Sequence, residues 1–313
     1  MVDEHVFCGT CLHVLLLSLP SSQTHINMLR YYIVDAFTGK PFGGNTAGVV
    51  LTETGQPFPE NETMRLIAAE FRYSETAFVK AETDGSFTTR YFTPTGEVPL
   101  CGHATVATFG VLFRNGLLHE GQCYLNHTLA GDLKVVAGPT TMMQMAEPKL
   151  IATLSDTERN RLYSIMGLTG TTNLPVQIVS TGLPDIMLPV ASIEALQNLH
   201  PDMKALSELS DELQVVGVHA FALSDDGYTA HVRNFAPLYG IDEESATGTS
   251  NAALTYYLYH NGIIKAPAQC TFLQGEAMQR PSVIATTLSS NDLQCEIMVG
   301  GPCCVVAQGE LRI

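Results

Sequence analysis

Glu75 in "SETAF", His103 in "CGHAT" and the acidic run Asp242, Glu243 and Glu244 are the residues of this 313-residue chain whose types and settings suit proton transfer. Glu75 precedes Ala77 and Phe78 in a stretch that reads as a short strand over 74–80. If its side chain points inward, desolvation disfavours the ionised form, and such a carboxyl can both give and take a proton near neutrality. His103 directly follows Gly102, and the acidic run ends just ahead of Gly248. Each also has a plainer structural role. A histidine at a helix start serves as a cap or a core hydrogen-bonding group, and acids before a helix are favoured by its dipole.

The elements that must position these residues occur twice. Residues 102–116 read "GHATVATFGVLFRNG" and residues 248–262 read "GTSNAALTYYLYHNG". Each stretch opens on Gly, runs apolar and closes on Asn-Gly. The apolar residues, Ala104 to Phe113 in one and Ala252 to Tyr259 in the other, cover every side of a 3.6-residue turn, so both predicted helices must be enclosed by protein. Upstream, "RYFTP" (90–94) precedes the first and "RNFAP" (233–237) the second, with eight steps from Pro94 to Gly102 and eleven from Pro237 to Gly248. A strand, a turn and a buried helix are therefore used twice. This predicts two related α/β halves, each wrapping a sheet around its own helix.

A helix N-terminus presents unpaired N–H groups and roughly half a positive charge, and Gly lets a ligand approach the backbone closely. Starts at Gly102 and Gly248, facing one another across a cleft, would clamp a small anionic metabolite. His103 and Thr249, just inside them, would add side-chain donors.

Elsewhere, "YYIVDAF" (31–37), "GVVL" (48–51) and "SFTTRYFTP" (86–94) read as strands. Met64, Leu66, Ile67 and Phe71 fall at helical spacing behind Asn61, a natural cap. Residues 1–27 break from this patterning. Their apolar run in "HVLLLSLPSS" is far too short to span a bilayer, and the segment before it is acidic, so they read as a poorly ordered extension.

Sixteen Lys+Arg against 31 Asp+Glu give a net charge of −15, which opposes binding to a phosphate backbone and argues against a nucleic-acid partner. Eight cysteines spread along a long chain fit free thiols in a reducing compartment, and so the cytoplasm. Cys8 and Cys11 form a CxxC with no second half, and no HxH, HExxH, Rossmann or P-loop pattern is present. The expectation is an enzyme without metal or cofactor.

Four stretches together, "VDAFTGKPFGGNTAGVVL", "SETAFV", "RYFTPTGEVPLCGHATVATFGVLF" and "FAPLYGIDEESATGTSNAAL", resemble the phenazine-biosynthesis-like (PhzF) family over residues 28–313. The resemblance implies the diaminopimelate-epimerase-like fold, in which two pseudo-symmetric halves each roll a mostly antiparallel sheet around a central buried helix. It divides the chain into a first half over 28–127 and a second over 128–299, with the last strand, near 300–313, crossing to the first. It implies a cofactor-independent isomerase, homodimeric, that moves a proton on a small unsaturated or carbonyl-bearing carboxylic acid. It marks Glu75 as the catalytic acid/base, with His103 and Glu244 beside it and with Gly102, Gly248, Thr249 and Asn45 binding substrate. Where the family usually reads Asp-Pro-Ala-Thr-Gly-Ser, this chain reads Glu-Ser-Ala-Thr-Gly-Thr over 244–249. The longer acid and the extra methyl of Thr249 reshape the pocket.

Two other readings compete. The same fold hosts racemases and epimerases with a thiol at each helix start. Cys101 stands at one such place, but Thr247 stands at the other, and a hydroxyl is too weak an acid to replace a thiolate. The third reading is a non-catalytic binding protein that keeps the pocket alone; the presence of both Glu75 and His103 speaks against it.

Overall fold

The structure, a computed structural model, describes residues 28–170, 172–291 and 294–313. The extension expected over 1–27, with Cys8 and Cys11, lies outside the described residues. In the first half, β1 (Met28–Ala36) and β2 (Asn45–Thr52) pair antiparallel, and α1 (Asn61–Phe71) crosses over to β3 (Thr76–Ala81), which lies parallel to β2. Next, β4 (Phe87–Phe92) returns antiparallel and β5 (Glu97–Val98) folds back on it. Helix α2 (Gly102–Arg114) then runs through the interior, so that β6 (Cys123–Thr128) emerges parallel to β4. The meander goes on past the boundary expected at 127, through β7 (Gly131–Val136) and β8 (Thr141–Gln144), each antiparallel to the strand before it.

The second half repeats the plan. It runs through β9 (Lys149–Thr153), α3 (Asp156–Ile165), β10 (Gln177–Ser180) and β11 (Pro184–Pro189) to α4 (Ile193–Gln197) and α5 (Met203–Glu212). These lead to β12 (Val218–Leu223), β13 (Ala230–Ala236) and β14 (Ile241–Glu244), then to the second central helix, α6 (Gly248–His260). After it come β15 (Ala268–Gln274), β16 (Ser282–Ser290), β17 (Cys295–Gly301) and β18 (Cys303–Arg312). The parallel pairs recur at matching places, β11 with β12 and β13 with β15, and the other pairings are antiparallel. The halves join where β8 pairs with β17, Thr141 opposite Gly301 and Gln144 opposite Met298. The last strand, β18, pairs with β1 from Met28–Arg312 to Ala36–Cys303.

The repeat extends to side chains. Arg90 on β4 makes two hydrogen bonds to Glu97 on β5, at 2.7 and 2.5 Å, and Arg233 on β13 makes two to Glu243 on β14, at 2.9 and 2.8 Å. The arginine of "RYFTP" and that of "RNFAP" thus fix the same hairpin in each half.

Residues of α2 and α6 share one large core cluster. Polar residues inside these enclosed helices are satisfied along the helix itself. Thr105 and Thr108 donate to Cys101 O and Ala104 O at 2.7 Å, and Thr255 donates to Asn251 O at 2.9 Å. Outer layers cover the rolled sheet. Met64 and Ile67 of α1 pack on Val50, Phe78 and Phe92. In the second half Leu162, Leu196 and Leu206, from α3, α4 and α5, pack on Ile186 and Val218. Among the described residues no helix is long and apolar enough to cross a membrane.

Two local expectations are corrected. Asn61 is the first residue of α1 and not its cap; Glu60 takes the cap position without a side-chain bond, and Asn61 Oδ1 accepts from Arg90 Nη1 at 2.9 Å. Glu75 lies one residue ahead of β3 rather than within a strand, because Arg72, at φ 60°, ends α1 and only Thr76 joins the ladder beside Gly48.

A buried polar network supports the start of α6. Ser250 Oγ donates to Asp185 Oδ2 at 2.6 Å and lies 3.2 Å from the donor Asn234 Nδ2, which also faces His219 Nδ1 at 3.2 Å. His219 Nε2 in turn faces Asn251 Oδ1 at 3.4 Å. Burial pushes His219 down to about 3, so the ring is neutral, with Nδ1 accepting and Nε2–H donating. Burial pushes the Asp185 carboxyl up to about 7 against the lowering effect of Ser250, and its Oδ1 has no partner.

Two predictions follow from these contacts. An unfolded Asp ionises near about 3.9. Between pH 4 and 7 the native state therefore holds a proton at Asp185 that the unfolded state has released, and stability falls as pH rises through that window. Asp185→Asn removes this dependence. Its melting temperature should exceed that of the parent by several degrees at pH 8, with a much smaller gap at pH 4.5; equal gaps at both would show that Asp185 does not titrate in this way. The second concerns Gly110 in α2, where an added Cβ would overlap Cys303 Sγ of β18. Gly110→Ala should lower the melting temperature of the parent protein and lower it much less in a Cys303→Ala background, where the Sγ overlap is gone, the 3.3 Å approach to the Cβ of position 303 remains and a helix-propensity gain of about 0.5–1 kcal/mol opposes it. Thermal unfolding of the four proteins reads this difference.

Candidate active site

Neither central helix is capped by a side chain. Cys101, at φ −141° and ψ 118°, precedes α2, and Thr247, at φ −130° and ψ 98°, precedes α6. Thr is a good capping residue, but here its hydroxyl is engaged elsewhere. It donates to Glu244 Oε2 at 2.9 Å and accepts from Gln274 Nε2 at 3.0 Å. Gln274 Oε1 also accepts from Thr247 N at 3.1 Å and from Asn251 Nδ2 at 2.8 Å, which fixes the approach to α6. The first turns of both helices thus carry no side-chain cap.

Both starts line one cavity of about 570 Å³. Gly102 and His103 face it from α2, Gly248 and Thr249 from α6, with Glu75 and Glu244 beside them and Leu100, Leu133, Met143 and Leu183 among the apolar walls. No Lys or Arg is among its lining residues. A larger cavity, about 780 Å³, opens between Thr52, Phe87 and Tyr124, and neither helix start lines it.

His103 is the hub of the polar wall, buried with 6% of its side chain exposed. Its Nε2 stands 3.4 Å from Glu75 Oε2 and 3.4 Å from Ser74 Oγ. Its Nδ1 stands 3.4 Å from both Asn45 Nδ2 and Cys101 Sγ. Glu75 Oε2 is buried and makes no well-formed hydrogen bond. Burial, helped by the charges of Glu75 and Glu244, pushes the Cys101 thiol well above its usual range, so it stays protonated. The donor atoms of Glu75, Cys101 and His103 lie within 4.8 Å of one another, a group that could hold a metal ion.

Asn45 is not among the cavity-lining residues. Its Nδ2 donates to Glu244 Oε1 and to Ala246 O, both at 3.1 Å, so it bridges the halves behind the wall. The turn ahead of it explains its placement. Gly44 takes φ +63°, and a Cβ there would overlap Ala36 O. Arg280, from the second half, donates through Nε to Gly44 O at 2.9 Å and through Nη2 to Gly43 O at 2.7 Å and Asp35 Oδ1 at 2.9 Å. Ser245 Oγ adds a bond to Gly44 O at 3.0 Å.

The acidic run divides by exposure and partner. Asp242 is exposed, Glu243 pairs with Arg233, and only Glu244 turns to the site. Burial, together with the charge of Glu75, raises its carboxyl above the ordinary glutamate range against the opposing effects of His103 and Thr247. The structure thus gathers Glu75, His103, Glu244, Gly102, Gly248 and Thr249 around one cavity and sets Asn45 behind it. Sequence reasoning missed Gln274, Arg280 and Ser74. Only Ser74 carried a signal, through its place in "SETAF".

Known proteins resemble this chain over most of its length. The family description "Phenazine biosynthesis-like protein" matches residues 34–309. The chain is 32% identical over 301 residues to the uncharacterized isomerase YddE of Escherichia coli (strain K12), covering 91% of this chain and 98% of that one. It is 32% identical over 262 residues to the trans-2,3-dihydro-3-hydroxyanthranilate isomerase of Pseudomonas fluorescens, covering 82% and 89%. The crystal structure of a Bacillus anthracis phenazine biosynthesis protein of the PhzF family superposes with a TM-score of 0.81 at 26% identity, covering 92% of this chain and all of that one. With its two rolled halves, its paired helix starts and a family match across most of its length, the chain belongs to the phenazine biosynthesis-like (PhzF) family of isomerases.

Proposed function

We propose that this isomerase moves a proton on a small unsaturated or carbonyl-bearing carboxylic acid held between its two halves, with Glu75 as the general acid/base. The observation that carries the reading is the position of Glu75, beside His103 at 3.4 Å, at the edge of a cavity that both uncapped helix starts line. With no Lys or Arg in the lining, a substrate carboxylate is held by the first-turn N–H groups of α2 and α6. Each helix end contributes about 0.3–1 kcal/mol when exposed and up to about 2 kcal/mol when partly buried. Glu75 takes a proton from a carbon beside the unsaturation, the electron pair moves along the conjugated system, and the proton returns to another carbon. His103, 3.4 Å away, holds the carboxyl in place, and Glu244 with Thr247 fixes the second helix start.

A two-thiol racemase fits less well. Cys101 stays protonated, and the hydroxyl of Thr247 on the other side is bound to Glu244.

Trans-2,3-dihydro-3-hydroxyanthranilate is the first compound to assay, because a 32% identical relative is named for isomerising it; a panel of small unsaturated carboxylic acids comes next. With a working substrate in deuterated water, the parent should incorporate deuterium. Glu75→Gln, which keeps the shape and removes the titrating group, should lose at least about a hundredfold in turnover and label nothing. Turnover near the parental rate in Glu75→Gln would remove Glu75 from this role and leave His103 as the next candidate. Cys101→Ala should cost about 1–2 kcal/mol of stability through a small cavity while keeping turnover within about tenfold. A thousandfold loss would revive the thiol-based racemase.

A further inference from the structure

His231, a buried residue of β13, has a carboxylate on each ring nitrogen. Its Nδ1 stands 2.6 Å from Glu276 Oε2 and its Nε2 stands 2.9 Å from Asp226 Oδ2. Ionised carboxylates accept hydrogen bonds and cannot donate them, so both bonds form together when the ring carries both protons and a positive charge. Burial works against that charge, but the two carboxylates outweigh it and raise the ring above the usual histidine range. Apart from these acids, the neighbouring elements set uncharged groups against it. Tyr228 meets the ring edge-on at 5.7 Å, and Ala222 of β12 and Leu273 of β15 stand opposite it in the ladders.

The two acids are held differently. Asp226 is fixed in its own loop, where its Oδ1 accepts from Ser224 Oγ at 2.6 Å and from Tyr228 N at 3.3 Å. Among the described residues, Glu276 has His231 as its one side-chain partner. Glu276 opens the 3₁₀ turn Glu276–Met278, whose backbone bonds stay within the segment: Met278 N to Gly275 O at 3.1 Å, Gln279 N to Glu276 O at 3.0 Å and Arg280 N to Gly275 O at 3.0 Å. The segment lies between two residues that hold the site. On one side, Gln274 accepts from Thr247 N and donates to Thr247 Oγ1 at the start of α6. On the other, Arg280 donates to Gly43 O, Gly44 O and Thr46 Oγ1, in the turn that presents Asn45. Between them, a Cβ on Gly275 would lie 2.7 Å from Ser245 O, next in sequence to Glu244.

We propose that His231 and Glu276 are positioning residues of the active site: the doubly protonated ring clips the 274–280 segment to β13, and through Gln274 and Arg280 the clip sets Glu244 and Asn45 relative to one another. When the ring loses one proton, one of the two carboxylates faces a lone pair. Ser224 and the Tyr228 amide keep Asp226 in place, so Glu276 is the acid that is free to leave. An unperturbed histidine titrates near about 6.5. The folded ring holds its proton more tightly, so the clip is complete below that pH and is lost as pH rises through the higher, folded value. In Asp226→Asn the new amide can donate to Nε2, which leaves the Nδ1 proton for Glu276; there the clip outlasts the charge. The clip itself stands on these contacts, whereas its effect on turnover rests on the cavity between the helix starts being the site of reaction.

The test uses the full chain. Native-state hydrogen exchange, read by mass spectrometry, follows the amide of Thr247, which donates to Gln274 Oε1, and that of Gly44, which donates to Pro281 O at 3.2 Å. At about pH 6, both should exchange at least about tenfold faster in Glu276→Ala than in the parent, with the amides of the β1–β2 ladder unchanged. Melting curves confirm folding, and Glu276→Asp, one methylene shorter, substitutes if the alanine variant does not fold. Parental exchange at both amides would overturn the clip. Between about pH 6 and about pH 9, the parent should lose protection at these amides beyond the intrinsic rise in exchange rate, and Asp226→Asn should not. Equal pH dependence in the two proteins would overturn the role of the ring proton. With a working substrate, kcat/KM should fall in Glu276→Ala and, toward alkaline pH, should fall further in the parent than in Asp226→Asn. Exchange that responds while kcat/KM stays parental would overturn the positioning role. Failure of the Glu75 assignment is read separately, as turnover of Glu75→Gln.

Discussion

The side-chain amide of Asn45 makes the contact on which the geometry of the site depends. It donates to Glu244, 199 positions away in sequence, and to Ala246 O, and it stands beside the His103 ring. Through this one group the acid of the second half, the approach to α6 and the histidine of α2 are set relative to one another. Arg280 and Ser245 hold the turn that presents Asn45, while the β8–β17 ladder joins the halves elsewhere. With these attachments and the β1–β18 ladder, the halves keep a cavity between them.

The duplicated architecture follows from burial. A helix enclosed on every side meets solvent only at its ends, and a helix end left without a cap must find partners for its first-turn N–H groups. Two such helices with their starts at one cavity supply the unpaired N–H groups on which the proposed anion site rests, before any catalytic side chain is added. The chemistry, in contrast, is one-sided. The residue just ahead of β12, which corresponds to Glu75 just ahead of β3, is Gly217, and a Cβ there would overlap Phe235 O. The second half has no room for an equivalent acid at that place. It contributes Glu244 and a network of neutral groups under α6 instead.

The repeated helices and the glycines at their starts were legible because a fully apolar helix and an opening Gly are local signals. Glu75 and His103 were legible because motif residues adjoin them. The division of labour among Asp242, Glu243 and Glu244 was not, since it depends on the irregular register of β14 against β13 and on Arg233 engaging Glu243. The bridging role of Asn45 was hidden for a stronger reason: its partners lie in the other half, and no periodicity links them. Helices α3, α4 and α5 escaped notice because they carry none of the repeated motif. The expected cap at Asn61 failed because Arg90, from β4, recruits that side chain.

Charge sets the condition under which so acidic a site would accept the proposed anion. Glu75 and Glu244 both face the cavity, and their fields act on the Cys101 thiol and on each other. A substrate carboxylate entering this space would be repelled by ionised side chains unless the helix dipoles offset them. Burial eases the conflict by raising the Glu244 carboxyl, which lowers the cost of its becoming neutral as a second anion approaches. Asn45 and Thr247 remain bonded to Glu244 throughout, and Thr247 can do so because it is not capping α6. The missing cap and the retained acid are therefore parts of one arrangement: freeing the helix start supplies the attraction, and the diverted threonine hydroxyl holds the acid that must yield to it.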